Sequence, residues 1–258
     1  MVKVGIAGVG AIGGAVARAL EKGLDGYTLT AISDPHTSAP VSVPNVDFDE
    51  LISKADLLIE CLPPSIAPEF IAKVLEAGKD VIVISSAALL IHSELLDIHK
   101  QSTSRIIVPS GALVGLDGVN AMKNMNIKSA KIVSTKPPKG FTGAPYVEKM
   151  NIDVNKIDTK MRIFEGNALE AAKGFPANVN VAATLSLAGI GPEKTMVEIW
   201  ADPATNRNTH EIVVETEFST LRSSISNAPD PANPKSSVLA AQSIIAALQG
   251  FSDKLVVL

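Results

Sequence analysis

The chain has 258 residues, 46% of them hydrophobic, and a formal net charge of −4, with mean hydropathy +0.25 and a pI near 5.6. That length accommodates one large domain or two small ones with ample apolar surface for a core. The 23 Lys and Arg are scattered rather than clustered, which argues against nucleic acid or an anionic membrane as partner and for a small molecule. No apolar run approaches the roughly 18 residues that a bilayer span requires.

In chain order, VKVGIA, YTLTAIS, LLIE, DVIVIS and RIIVP read as short buried strands. The segments AIGGAVARALEKG, SIAPEFIAKVLEAG and SELLDIHKQS between them read as helices, the second closing at Gly78 as helices with a C-terminal glycine do. Alternation of this kind predicts a doubly wound parallel α/β unit of Rossmann type. Gly8-Val9-Gly10-Ala11-Ile12-Gly13 falls where the first strand meets the first helix. There Gly8 permits a tight turn, Gly10 lets the backbone approach a pyrophosphate, and Gly13 lets helix and strand lie close, so Gly8, Gly10, Ala11, Ile12 and Gly13 are expected to bind a dinucleotide. The second strand ends at Asp34, placed to accept hydrogen bonds from a ribose diol. Its charge would repel a 2′-phosphate, and Pro35-His36-Thr37-Ser38 contains no Lys or Arg to neutralise one; NAD is therefore favoured, with NADP as the alternative.

Cys61-Leu62-Pro63 follows LLIE and Ser85-Ser86 follows DVIVIS. Both sit at carboxyl ends of predicted strands, the edge that lines the ligand crevice of an open parallel sheet, so Cys61, Pro63 and Ser85 join the expected cofactor contacts. A nucleophilic role for Cys61 is disfavoured because no basic neighbour lowers its pKa. As the lone cysteine it cannot close an internal disulfide, and the chain opens on strand-like MVKVGIAG, so a cytoplasmic location is expected.

Beyond VPSGALVGLDGV come SAKIVST, KMRIFEG, KTMVEIWA, HEIVVETEF and TLRSSIS, patterned as strands and interrupted by the helical stretch ALEAAKGFPANVNVAATLSLAG. A second α+β domain with a mostly antiparallel sheet is expected. The proline-rich NAPDPANPKSS reads as a shaped loop before a final helix SVLAAQSIIAAL and a short strand DKLVVL. The expected boundaries are 1–110 for the dinucleotide-binding domain, 111–235 for a substrate and dimerisation domain, and 236–258 for a helix and strand returning to the first.

GVGAIG, PSGALVGLDG, STKPP, FEGNALEAAKGFPANVNVAATLSLAG, EIWADPATNRNTHEI and NPKSS, in this order, closely resemble the L-aspartate dehydrogenase family over essentially the whole chain. GVGAIG is common to many dehydrogenases; FPANVNVAA and NTHEI are far more specific. The resemblance implies NAD(P)-dependent oxidation of L-aspartate to iminoaspartate, which enters NAD biosynthesis or hydrolyses to oxaloacetate and ammonia. It implies His210 as the catalytic residue and Ala112 and Asn180 as cofactor contacts.

A histidine opening a strand is most often a half-exposed surface residue, but an acid/base group is what imine chemistry needs, and an ordinary imidazole pKa near 6.5 suits it. His36 lies beside the predicted adenosine site and His92 and His99 on or beside a first-domain helix, leaving His210 alone in the second domain. Lys136, Arg207, Lys235 and Ser236, the last in a Ser236-Ser237 pair that can cap the final helix, are candidate ligands for the substrate carboxylates. No metal site is expected, and a homodimer is. The alternatives are a dehydrogenase or reductase of another amino or imino dicarboxylate and a non-catalytic NAD(H)-binding sensor. Against them, the paired-histidine and lysine signature of dihydrodipicolinate reductases and the lysine and aspartate pair of homoserine dehydrogenases are not found.

Overall fold

A computed structural model describes residues 1–36, 41–230 and 233–255, the side chains of 233–236 excepted. The chain divides into two compact units, residues 1–111 with 240–258, and residues 112–239.

In the first unit, β1 (Val2–Ala7), α1 (Ala11–Glu21), β2 (Tyr27–Ser33), α2 (Phe48–Lys54), β3 (Leu57–Glu60), α3 (Ala67–Glu76), β4 (Asp80–Val83), α4 (Ala87–Ile91), α5 (Glu94–Gln101) and β5 (Ile106–Ile107) follow one another. The five strands form a parallel sheet in the order β2-β1-β3-β4-β5. Strand side chains alternate between faces, so Val4 and Ile6 pack in one cluster with Val16 and Leu20 of α1, while a side chain at Gly5 would meet Leu51 of α2 on the other face. The order reverses between β1 and β3, which puts the crevice of this doubly wound sheet beyond their carboxyl ends. Helices α2 and α4 escaped the sequence reading because their five to seven residues are too short to display a helical period.

In the second unit α6 (Leu116–Lys123), β6 (Ser129–Lys136), α7 (Pro145–Lys149), β7 (Met161–Asn167), α8 (Ala168–Gly174), α9 (Asn180–Ala188), β8 (Thr195–Ala201), β9 (Asn208–Glu215) and β10 (Thr220–Asn227) build a sheet ordered β10-β9-β6-β8-β7. It is antiparallel except for the β6–β8 pair. Phe141, Tyr146, Phe164 and Phe175 meet in an aromatic cluster, the rings of Phe164 and Phe175 5.6 Å apart at 72°. An Asn167–Glu170 capping box starts α8.

The expected single helical stretch over 168–189 is broken: Phe175 precedes Pro176, which disfavours the helical conformation, and α9 begins only at Asn180. The strand expected from His210 begins at Asn208 and ends at Glu215, where Thr216 Oγ1 accepts from the backbone N–H of Phe218 and Ser219 and turns the chain. The proline-rich passage is not a loop throughout, since β11 (Pro229–Asp230) and β12 (Asn233–Ser237) pair antiparallel. Each strand is short and at an edge, where proline is tolerated. Helix α10 (Val238–Ser252) then buries Ile244 and Leu248 in the same core cluster as β1 and α1. Of the expected terminal strand, residues 253–255 form none and the remainder lies outside the described residues.

Candidate active site

The turn after β1 is built against the turn after β3. Gly8 has φ +85°, and a Cβ there would strike the Cys61 carbonyl; a Cβ at Gly13 would strike the Gly8 carbonyl oxygen. Neither position has room for a side chain. At Gly10 the surroundings are different, with nothing within 4 Å of the place a Cβ would occupy. The loop is thus closed toward the protein and open on the side where a pyrophosphate would approach, and α1 begins there with Ala11 and Ile12 and no acidic residue in its first turn, leaving its N-terminal N–H groups and positive dipole end to an anion. Asp34 accepts from Val9 N at 2.7 Å and from His36 N at 2.9 Å, while Asn45 exchanges hydrogen bonds with its backbone. The acidic side chain at the end of β2 is therefore held against the glycine loop. Thr37 and Ser38 lie outside the described residues. These features fit a dinucleotide cofactor.

Cys61 is half-buried, and burial followed by the charge of Glu60 pushes its thiol well above the usual range, so it is no nucleophile. Pro63 is exposed and Ser85 buried. Ser85 Oγ donates to Leu62 O at 3.0 Å. Between the two turns lies a residue that the sequence reading passed over as strand: Glu60, fully buried, whose carboxyl accepts from Leu62 N at 2.7 Å and Ser85 N at 3.0 Å. Desolvation pushes its pKa up to about 7 against those hydrogen bonds.

The second unit holds the histidine. Antiparallel pairing sets His210 of β9 directly opposite Ser134 of β6, and Lys136, two residues on, shares the face of Ser134. That face is inward: Ser134, Lys136 and His210 are 3%, 5% and 4% exposed. His210 is thus not the half-exposed strand-opening residue that its sequence position suggests. Ser134 Oγ lies 2.9 Å from His210 Nδ1. Lys136 Nζ donates to the backbone carbonyl of Asn178 at 3.3 Å. Asn178 is itself buried, and its Oδ1 has no partner among the described residues, which is unusual for a buried polar atom.

Electrostatics follow from this burial. Desolvation, reinforced by the Lys136 charge, lowers the His210 pKa to about 3, and desolvation lowers that of Lys136 to about 8. The ordinary imidazole value assumed from sequence is replaced by that of a neutral, weakly basic ring beside a lysine that is still mostly protonated at neutral pH and loses its proton near pH 8.

The remaining expected residues are spread over the unit. Asn180 opens α9, two residues beyond Asn178. Ala112 offers its carbonyl to Asn227 Nδ2 at 3.4 Å. Arg207 is exposed and donates to Ser226 O at 3.4 Å, so its guanidinium does not join the buried trio. Nothing is described of the side chains of Lys235 and Ser236. Ser134, Asn178 and Glu60 were absent from the sequence reading, though alternation in SAKIVSTK already puts Ser134 and Lys136 on one face. His99 is half-buried, and its buried Nδ1 has no partner among the described residues. Among the described residues no group of three or more His, Cys, Asp and Glu could hold a metal ion, and no helix is long and apolar enough to cross a membrane.

Residues 117–251 match the family model of the aspartate dehydrogenase C-terminal domain, and residues 8–109 that of the homoserine dehydrogenase NAD-binding domain. The L-aspartate dehydrogenase 3 of Bordetella bronchiseptica is 45% identical, with 96% of this chain and 94% of that protein covered. That of Methanosarcina barkeri is 41% identical, with 96% of each covered. The crystal structure of the Thermotoga maritima aspartate dehydrogenase superposes with a TM-score of 0.78 at 27% identity, covering 100% of this chain and 99% of that one. With a matching C-terminal model over half its length and near-complete relatives above 40% identity, the chain belongs to the L-aspartate dehydrogenase family, as an oxidoreductase with an NAD(P)-binding first unit.

Proposed function

We propose that this chain oxidises L-aspartate to iminoaspartate with NAD(P), the imine then supplying NAD biosynthesis or hydrolysing to oxaloacetate and ammonia. The observation that carries the reading is the buried Ser134–His210–Lys136 group in a chain of this family. Gly8, Gly10, Ala11, Ile12, Gly13 and Asp34 would hold NAD(P), with Cys61, Pro63 and Ser85 as further contacts of the same unit and Ala112 and Asn180 proposed from the second; the group would supply a hydride acceptor for the amino acid Cα.

What the chain itself contributes is charge placement and proton transfer. Lys136 has one hydrogen-bond acceptor, the Asn178 carbonyl, and no ion-pair partner among the described residues; a substrate carboxylate supplies the missing charge. Pairing Lys136 with an anion removes the repulsion that helps hold His210 unprotonated, so the imidazole grows more basic as substrate binds. With Ser134 Oγ accepting from Nδ1–H, the lone pair sits on Nε2, free to take a proton from the substrate ammonium or from water attacking the imine. Arg207, Lys235 and Ser236 remain secondary candidates for the other carboxylate.

NAD is the preferred cofactor in this reading, on the strength of the Asp34 carboxylate held at the glycine loop. The chain works as a cytoplasmic homodimer assembled through the second unit. The lone cysteine suits a reducing compartment, and light scattering in solution checks the dimer. The function is tested by a substrate panel: NADH should form with L-aspartate and be consumed with oxaloacetate and ammonium. Silence in both directions with cofactor binding intact would reassign the substrate to another amino or imino dicarboxylate.

A further inference from the structure

We infer that Glu60 is a positioning residue for the cofactor cleft: as a carboxylate it ties the turn after β3 to the turn after β4, and the binding of NAD(H) depends on that tie. The inference rests on the cofactor assignment of the first unit and on nothing about the substrate.

A fully buried carboxyl group with no cationic partner is costly and uncommon. Here each oxygen has a backbone donor from a different turn, Leu62 N on Oε1 and Ser85 N on Oε2, and Ser85 Oγ closes the ring by donating to Leu62 O. The same turn supports the glycine loop. The Cys61 carbonyl lies where a Cβ of Gly8 would have to go, and Cys61 Cβ would stand 3.2 Å from one on Gly13. Movement of Cys61 and Leu62 is therefore transmitted to both glycines, at the place where the strand order reverses. Protonation would weaken the arrangement, because it turns one acceptor into an O–H amid donors of Leu62, Ser85 and Ile84 that favour the ionised form.

Burial brings the pKa of this carboxyl to about 7, so the tie is half-formed near neutrality. Among the described residues, the titratable group recorded acting with it is the Cys61 thiol, which stays neutral over this range. Two pH trends of opposite sign follow. A raised carboxyl pKa contributes stability below about 4.5 that is lost as pH rises through about 7. Cofactor affinity should move the other way and weaken as pH falls.

The test is fluorescence titration of NADH into the purified full chain at several pH values between about 6 and 8. A His36→Asn background keeps the imidazole of His36, whose backbone N–H donates to Asp34, from contributing. If only the ionised form binds, the apparent Kd weakens about tenfold from pH 8 to pH 6. Glu60→Gln, whose NH2 would face one of the N–H donors, should bind NADH several-fold more weakly at pH 8 and with a flat profile. A flat profile in the unaltered chain, or a Glu60→Gln variant that binds as tightly at pH 8 and keeps the slope, overturns the proposal. The slope in the unaltered chain remains decisive should the variant not fold. Absence of NADH binding at every pH would overturn the cofactor assignment along with it, whereas tight binding without pH dependence overturns the proposal alone.

Discussion

His210, Ser134 and Lys136 divide the work at the level of single side chains. His210→Ala should leave NADH affinity nearly unchanged, because the glycine loop and Asp34 belong to the other unit, and should lower kcat by about 10²–10⁴, the usual range for one acid/base group. Steady-state kinetics check this; a variant that keeps kcat and loses only KM for aspartate would make the imidazole a carboxylate ligand and pass the proton role to Lys136. Ser134→Ala, which removes the hydroxyl 2.9 Å from Nδ1, should cost about five- to tenfold in kcat, the equivalent of an ordinary hydrogen bond. On the cofactor side, Asp34→Ser should weaken NAD and narrow its advantage over NADP, measured as the ratio of the two kcat/KM values. A chain that already prefers NADP would refute the charge-repulsion argument.

Among the elements, the junction of β1 and α1 is the least forgiving. A methyl group at Gly13 would collide with the backbone carbonyl of Gly8, and no side-chain rotation can relieve that. Gly13→Ala should therefore destabilise the chain by about 1–3 kcal/mol, the range for overpacked sites, and weaken NADH binding as α1 is displaced. Gly10→Ala serves as the contrast: with open space around it, it should fold normally and lose cofactor affinity only. Urea denaturation and NADH titration separate the two, and equal stability losses would contradict the loop geometry. The β6–β9 pair plays the corresponding part in the second unit, since a one-residue slip of β9 against β6 would set His210 on the face opposite Ser134 and Lys136.

Over the whole molecule, His210 and Glu60 give stability a divided pH dependence on the acid side of neutrality. His210 has a depressed pKa, so its contribution is complete above about 6.5 and is lost as pH falls toward about 3. Glu60 has a raised pKa, and its contribution is complete below about 4.5 and lost as pH rises through about 7. Between these limits the two slopes oppose, each bounded by about 1.4 kcal/mol per pH unit. His210→Gln should remove one of them, so that thermal melts of the variant gain stability from pH 7 to pH 5 relative to the unaltered chain. Parallel melting curves over that range would show that the imidazole is not desolvated as its burial implies.

Local pattern by itself determined the fold class, the dinucleotide motif and the family. Glycine spacing, strand-length apolar runs and ordered motifs are properties of neighbouring residues, and the parallel first sheet and mostly antiparallel second sheet repeat what their periodicities implied. Tertiary structure decided the chemistry. Ser134 meets His210 only because β6 and β9 pair in one register across 76 residues of sequence, and no local signal encodes that register. The break at Phe175 carries Asn178 to Lys136. Burial, not residue type, moves the pKa values of His210 and Lys136 down and that of Glu60 up from their ordinary values, because desolvation is set by everything folded around a group. Glu60 was legible as a strand residue and illegible as a carboxylate bound by two turns, since its partners Leu62 and Ser85 come together only when β3 and β4 lie side by side.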